Sequence, residues 1–290
     1  MKISGFTIAR QAVRFGYPLA ESLRSLLPLV DELVVGVGDG DDGTWEMVRG
    51  LDDPKVRAFR STWDMSHREG GRVLSVETNK ALERCSGDWA VYLQADEVLH
   101  EDEIPVLRRA LERHLRGRAE GLRFLYYHFY GSYQTVQDHR RKWYRSAVRA
   151  VRTGHGVVSV GDAYGFKVKE GGRLRSLRKA DSGVHVYHYG WVRPPGVMLE
   201  KQRNLDRLYH DEAWIEKRWA GEEEKVRGFY RDRGHLKFFR GTHPGVMAVR
   251  AGAQDWTFEH GIERQWPDWL RHLYVLLLYP LVKWARKKAG

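Results

Sequence analysis

The stretch Val91-Tyr92-Leu93-Gln94-Ala95-Asp96-Glu97 decides how this chain is read, because an apolar strand ends there in acidic groups instead of turn residues. Asn79 to Trp89 before it reads as a helix that stops at Gly87 and hands the chain directly into the strand. Asp96 is thereby delivered to the rim of a sheet, where open α/β sheets carry their chemistry. A carboxylate there can hold a divalent cation through hard oxygen ligands, and a cation is what a pyrophosphate leaving group needs. A solvated acidic loop is the competing reading of these residues in isolation.

Upstream, Lys2 to Ala9 is a strand candidate, Leu19, Leu23, Leu26 and Leu27 recur at helical spacing, and Glu32 to Val37 is a second apolar strand. This is a β-α-β opening. The second strand runs into Gly38-Asp39-Gly40-Asp41-Asp42-Gly43-Thr44, where glycines permit tight backbone geometry and carboxylates can accept hydrogen bonds from a ribose or base edge. A helix from Thr44 to about Leu51 and a strand from Val56 to Ser61 follow.

In their order, these landmarks give residues 1 to about 110 a resemblance. Ala9-Arg10 ends the first strand, Asp42-Gly43-Thr44 closes the acidic loop, Asn79 precedes Ala81-Leu82, and Gly87-Asp88-Trp89 leads to the acidic strand end. Together they resemble a family 2 glycosyltransferase with a GT-A nucleotide-sugar-binding fold, near the branch that builds lipopolysaccharide core and other surface glycans. The resemblance implies a Rossmann-like α/β sheet with an elaborated acceptor half and a helical C-terminal extension. It places the nucleotide across Ala9, Arg10, Asp39, Asp42, Asn79 and Gln94, and Mg2+ or Mn2+ on Asp96. Two departures stand out. Gln94 occupies the first acid position of the family's Asp-x-Asp pair, and Val37 stands where an Asp usually ends the second strand, with Asp39 the nearest substitute.

At 290 residues with 42% hydrophobic content, the chain can bury a substantial core. The reading divides it into a catalytic domain over 1–195, with a nucleotide-binding half to 120 and an acceptor half from 121, and an extension over 196–290. The start at Lys2 reads as a strand and not as a signal peptide. A single cysteine, Cys85, excludes an intramolecular disulfide and a cysteine-based metal cluster. These features suit the cytoplasm. The formal charge of +11 and pI near 9.7 call for an anionic partner. Basic residues are dispersed, as in Arg108-Arg109, Arg140-Arg141-Lys142, Arg173 to Lys179 and Arg286-Lys287-Lys288, without a nucleic-acid-binding signature, so a charged substrate or lipid surface fits better than nucleic acid.

Leu122 to Tyr130 is a strongly aromatic strand, followed by a polar segment from Gly131 to Lys142 and a strand from Ala147 to Arg152. By resemblance this half shapes the acceptor site, where aromatic faces suit sugar C–H surfaces; packing of the sheet is the alternative. The resemblance also makes Val160-Gly161-Asp162 the counterpart of a Val-His-Glu that carries the general base, so Asp162 is the candidate catalytic base, with a turn-capping Asp as the alternative. His188 ends the apolar face of a strand shared with Val184 and Val186. GT-A enzymes often complete their metal site with a late histidine, which makes His188 a ligand candidate beside Asp96; a core histidine is the other reading. Beyond Pro194-Pro195 a helix from about Gly196 to Tyr209 carries Lys201, Arg203 and Arg207, which with Arg193 could neutralise a pyrophosphate if the metal is weakly held; surface solvation is the simpler reading for most of them.

At the C-terminus, Trp266 to Lys288 combines tryptophans, an apolar run too short to cross a bilayer, and a basic cluster. It reads as an interfacial anchor for an anionic membrane surface or as a packed helix. The expectation for the whole chain is an inverting hexosyltransferase-like enzyme of surface polysaccharide or lipopolysaccharide biosynthesis, peripheral on the inner face of the cell membrane. It would use a nucleotide-sugar donor, with UDP the first choice, and a glycan or lipid-linked acceptor. A nucleotidyltransferase, or a noncatalytic nucleotide- or nucleic-acid-binding protein, are the alternatives.

Overall fold

A computed structural model describes residues 1–138, 143–220, 229–230, 235–259, 262, 273 and 277. The opening follows the apolar pattern: β1 (Ile3–Ala9), α1 (Leu19–Leu26), β2 (Glu32–Gly38), α2 (Thr44–Arg49) and β3 (Val56–Ser61). After α3 (Arg72–Leu82), β4 (Trp89–Tyr92) inserts on the far side of β1, so four parallel strands run in the order β4-β1-β2-β3.

The helix before β4 ends earlier than the sequence predicts. It stops at Leu82, and Gly87 lies beyond it for a different reason. A Cβ on Gly87 would stand 2.6 Å from the Ser4 amide nitrogen and 2.8 Å from the Lys2 carbonyl oxygen, so only glycine lets the chain cross the start of β1. The strand also ends early, at Tyr92, and Gln94 to Asp96 form a turn before the two-residue β5 (Glu97–Val98).

From β4 the sheet continues antiparallel through β8 (Ser146–Arg152), β6 (Gly121–Tyr130), β7 (Ser132–Gln137) and β13 (Leu236–Phe238). The long β12 (Lys179–Trp191) runs parallel to β6 and pairs with β5 on its other side, with His188 opposite Glu97. A separate small sheet joins β9 (Val157–Val160), β10 (Gly165–Glu170) and β11 (Arg173–Ser176). The segment expected to be polar connection after Tyr130 therefore contains a strand, β7. In the basic run Arg173 to Lys179, Arg175 and Arg178 both clamp the buried Glu120 carboxylate, at 2.8 and 2.5 Å, so this part of the positive charge is structural.

Two cores sandwich the main sheet. On one face α1, α2 and α4 (Ile104–Leu115) cover Trp89, Val91, Leu33, Val35 and Leu122; on the other, Val73, Ala81 and Leu82 of α3 meet Phe6, Ala90, Tyr92 and Phe166. Alternation along the deciding stretch is strict: Trp89, Val91, Leu93 and Ala95 enter the first core. Gln94 and Asp96 are left to face the opposite side. The aromatics of β6 mainly pack the sheet, with Phe129 stacked on Tyr189 at 4.6 Å between centroids and Tyr127 on His185 at 4.6 Å. α5 (Pro195–Asp206) and α6 (Glu212–Trp219) follow β12. Among the described residues no helix is long and apolar enough to cross a membrane. The anchor expected over Trp266 to Lys288 lies outside the described residues except for Leu273 and Leu277, both exposed.

Glu97 and Arg149 form an ion pair with neither side chain exposed. Arg149 Nε and Nη2 donate to the two carboxylate oxygens at 2.8 Å each, and Tyr126 Oη and the Gln94 amide donate to them at 2.8 and 3.0 Å. Arg149→Met should lower stability by about 3–5 kcal/mol, because it strands a buried carboxylate. The double change Glu97→Leu with Arg149→Met should recover much of that loss in urea unfolding. An unchanged midpoint in the single variant would refute the arrangement.

A second polar knot joins β1, β2 and the turn before β4. Glu32, 6% exposed, accepts from Ser4 Oγ at 2.6 Å, from Ser86 N at 2.6 Å and from Arg57 Nη1 at 2.7 Å. Burial pushes the Glu32 carboxyl up, but the hydrogen bonds of Ser4, Ser86 and Arg57 outweigh it and bring it from 4.5 down to about 2. The folded state therefore favours ionised Glu32, whose contribution is full above pH 4.5 and is lost as pH falls towards 2. Glu32→Gln should be less stable at pH 7 and show a shallower loss of stability on acidification than the parent chain. Parallel acid curves for the two proteins would contradict this.

Candidate active site

A cavity of about 290 Å³ opens where β1 and β4 end. Ala9 and Arg10 reach it from β1, and Tyr92, Gln94 and Asp96 from β4 and the turn after it. His188 and Gly190 enter from the end of β12, Lys201 from α5, and Asp162 from the turn after β9. Seven of the residues singled out from sequence, Ala9, Arg10, Gln94, Asp96, Asp162, His188 and Lys201, thus line one space. This is the position that the parallel β-α-β connection dictates, outside the carboxyl ends of the strands.

Asp96 is 8% exposed, and β12 holds its backbone through Tyr189 N–H to Asp96 O at 2.8 Å. Lys201 Nζ donates to Asp96 Oδ2 at 3.0 Å and to the Gly190 carbonyl at 2.7 Å, and lies 4.6 Å over the Tyr17 ring. Burial would push the Asp96 carboxyl up, but Lys201, His188 and Arg193 hold it well below the usual carboxylate range. The same burial, helped by Arg193 and opposed by Asp96, lowers Lys201 to about 8. Gly190 admits this crowding: a Cβ there would stand 2.5 Å from His188 Nε2 and 3.0 Å from Asp96 Oδ2.

His188 is oriented by a neighbour that the sequence reading did not single out. His128 Nε2 lies 2.7 Å from the Tyr144 carbonyl and therefore donates to it, while His128 Nδ1 and His188 Nδ1 are 2.9 Å apart. Burial lowers both imidazoles, His128 to about 3, so both rings are neutral at pH 7. Neutral His128 then accepts the Nδ1 proton of His188, which leaves His188 Nε2 as a lone pair 3.7 Å from Asp96 Oδ1.

Asp162 keeps both of its sequence readings. Its Oδ1 accepts from the Tyr164 amide at 3.2 Å, as a turn Asp does, while Oδ2 accepts from Tyr209 Oη at 3.4 Å on the cavity wall. Its half-buried carboxylate retains free lone pairs.

Four expected nucleotide contacts are placed elsewhere. Both ends of the Asn79 amide are engaged with the Ser159 backbone, at 3.0 and 2.7 Å, so Asn79 ties α3 to β9 and does not line the cavity. Asp42 accepts from Thr44 Oγ1 at 2.9 Å and the Arg14 amide at 2.9 Å, closing the loop before α2. Asp39 is exposed, and its carbonyl takes Arg10 Nε at 3.2 Å. Arg193, 4% exposed, sits behind the cavity wall and donates to the carbonyls of Gly16, Tyr189 and Gly190.

For the expected divalent cation the residues around Asp96 offer two donors, its carboxylate, already paired with Lys201, and the His188 Nε2 lone pair, which is too few for a protein-built site. Gln94 adds no charge, and the described residues contain no group of three His, Cys, Asp or Glu side chains that could hold a metal ion. The one carboxylate already faces a buried ammonium, with the Arg193 guanidinium behind it, so its charge is met before any ion arrives.

Comparison with known proteins bears on the whole arrangement. No curated protein matches the chain. Among solved structures, S. aureus TarS is 15% identical with a TM-score of 0.42, and the match covers 81% of this chain and 45% of that one, so the chain spans less than half the length of TarS. S. aureus TarS 1-349 in complex with UDP-GlcNAc gives 14% identity, coverages of 79% and 73%, and a TM-score of 0.41. Glucosyl-3-phosphoglycerate synthase from Mycobacterium tuberculosis, in complex with Mn2+, UDP and glucosyl-3-phosphoglycerate, gives 20% identity, 44% of each chain and a TM-score of 0.29. The model of the family named glycosyl transferase family 2 matches residues 17–169, more than half of the chain. With its parallel-rich GT-A sheet and a cavity at the strand ends, the chain belongs to glycosyl transferase family 2.

Proposed function

We propose that this glycosyltransferase moves a sugar, with inversion, from a nucleoside diphosphate sugar to an acceptor hydroxyl. The observation that carries the reading is that a cationic anchor, Lys201 on Asp96, and a carboxylate with free lone pairs, Asp162, line one cavity at the strand ends. The diphosphate lies toward Lys201 and Arg10, and the acceptor toward Asp162. The acceptor oxygen attacks the anomeric carbon as the bond from that carbon to the diphosphate oxygen breaks. The bonding pair leaves with the diphosphate, and the acceptor proton passes to the Asp162 carboxylate. His188 Nε2, held unprotonated by His128, accepts a hydrogen bond from a donor-sugar hydroxyl.

The acceptor we propose is a glycan or lipid-linked hydroxyl of a surface polysaccharide, for which the chain's charge of +11 favours an anionic molecule or membrane face. UDP is the first nucleotide to test, since most enzymes of this resemblance use it. Release of a nucleoside diphosphate distinguishes this reaction from nucleotidyl transfer, which would release pyrophosphate.

A thermal-shift screen against UDP-, GDP-, dTDP- and CMP-sugars identifies the donor, because a ligand that binds only the native state raises apparent stability. With that donor, Asp162→Asn should lower turnover about 10²–10⁴-fold while donor affinity stays within a few-fold. A variant that keeps its turnover, or that loses donor affinity instead, would remove Asp162 from the role of base.

A further inference from the structure

Lys201 occupies a place that calls for a specific explanation. A lysine is rarely buried unless paired, yet this one is 8% exposed on α5, with its ammonium reaching the turn that follows β4. Three groups fix it there: the Asp96 carboxylate at 3.0 Å, the Gly190 carbonyl at 2.7 Å and the face of Tyr17 at 4.6 Å. These come from three separate parts of the chain, so the ammonium is held at one point and does not swing with solvent. It also lines the cavity, as do the strand-end residues Gln94 and Asp96.

We propose that the Lys201 ammonium is the built-in cation for the donor's diphosphate, standing where a divalent metal ion would otherwise be held. The inference rests on the reading of the cavity as a nucleotide-sugar site. The charge pattern of the cavity supports it. The strand end offers Gln94 and Asp96, a single negative charge, and Lys201 cancels that charge within hydrogen-bond distance. A dication would enter beside an ammonium and in front of Arg193, at a carboxylate whose charge is already met. A diphosphate, by contrast, brings the negative charge that this cluster lacks, and an ammonium is a strong point-charge partner for phosphate oxygens. Arg10 is the other lysine or arginine among the described cavity residues, so the positive wall runs from Arg10 to Lys201. In this arrangement Asp96 positions the lysine and is not a metal ligand.

The test is isothermal titration of the full chain with UDP, GDP and dTDP, in EDTA and again with Mn2+, with a melting curve for every variant. At least one nucleotide should bind in EDTA, and Mn2+ should change its Kd less than threefold. Lys201→Met should weaken that binding at least tenfold. Asp96→Asn removes only the group that positions the ammonium, so nucleotide should still bind measurably in EDTA, though more weakly than to the parent chain, whereas a metal ligand would lose binding on the same change. This second variant decides the matter if Lys201→Met fails to fold. Binding that requires Mn2+ and vanishes in Asp96→Asn overturns the role of Lys201 and leaves the nucleotide-sugar reading intact. A folded Lys201→Met with a lowered melting temperature and unchanged nucleotide affinity makes the lysine a structural pair only and also overturns it. If no nucleotide binds with or without Mn2+, the donor-site reading itself falls, and this inference with it.

Discussion

The buried Glu97–Arg149 pair is the contact on which the geometry of the cavity depends. Taking two charges out of water costs several kcal/mol per ion, and the cost is offset only when every lone pair and proton finds a partner. Here the partners are spread over the cavity's frame. Glu97 receives the Gln94 amide and thereby fixes the turn that presents Asp96. The other Arg149 nitrogen, Nη1, donates at 3.2 Å to the carbonyl of Tyr164, two residues after Asp162. One ion pair thus ties the acidic strand end to the turn that carries the candidate base.

Around that pair, the site is assembled by strands that are distant in sequence. β5 pairs with β12 and brings His188 alongside Glu97, next to Asp96. β6 lies on the other side of β12 and supplies His128, whose bond to the Tyr144 carbonyl sets which nitrogen of His188 carries the proton. α5 then covers the opening with Lys201. Each polar group in this layer is oriented by another that is itself buried, which keeps charged side chains in single rotamers without solvent to screen them.

Much of the first half was legible because its signals are local. The apolar runs of β1, β2 and β3, the leucine spacing of α1 and the Asp42-Gly43-Thr44 loop close determine their own backbone conformations. Gly87 misled for an equally physical reason. A glycine after a helical segment signals a helix end, but here it answers a close approach to Lys2 and Ser4, which lie 83 or more residues away in sequence. Asn79 and Asp42 read as ligands from their places in the resembling motifs, and the fold engages both in its own loops. Arg149 carried a usable signal, a lone charge within Ala147-Val148 and Ala150-Val151, since a strand that is apolar on both sides of a charge implies a buried partner.

By itself the sequence determined the parallel β-α-β frame and the delivery of Asp96 to a strand end, because period-2 and period-3.6 patterns act through nearest neighbours. It also determined that position 94 would add no charge beside the acid Asp96, since Gln94 is written in the chain. Only the tertiary structure decided what answers that acid. The ammonium that meets Asp96 lies 105 residues further along, on a helix whose own pattern gives no reason to bury a lysine. A charge of +11 spread over the sequence cannot show which of its cations will be desolvated, because desolvation is a property of the packed neighbours and not of the residue.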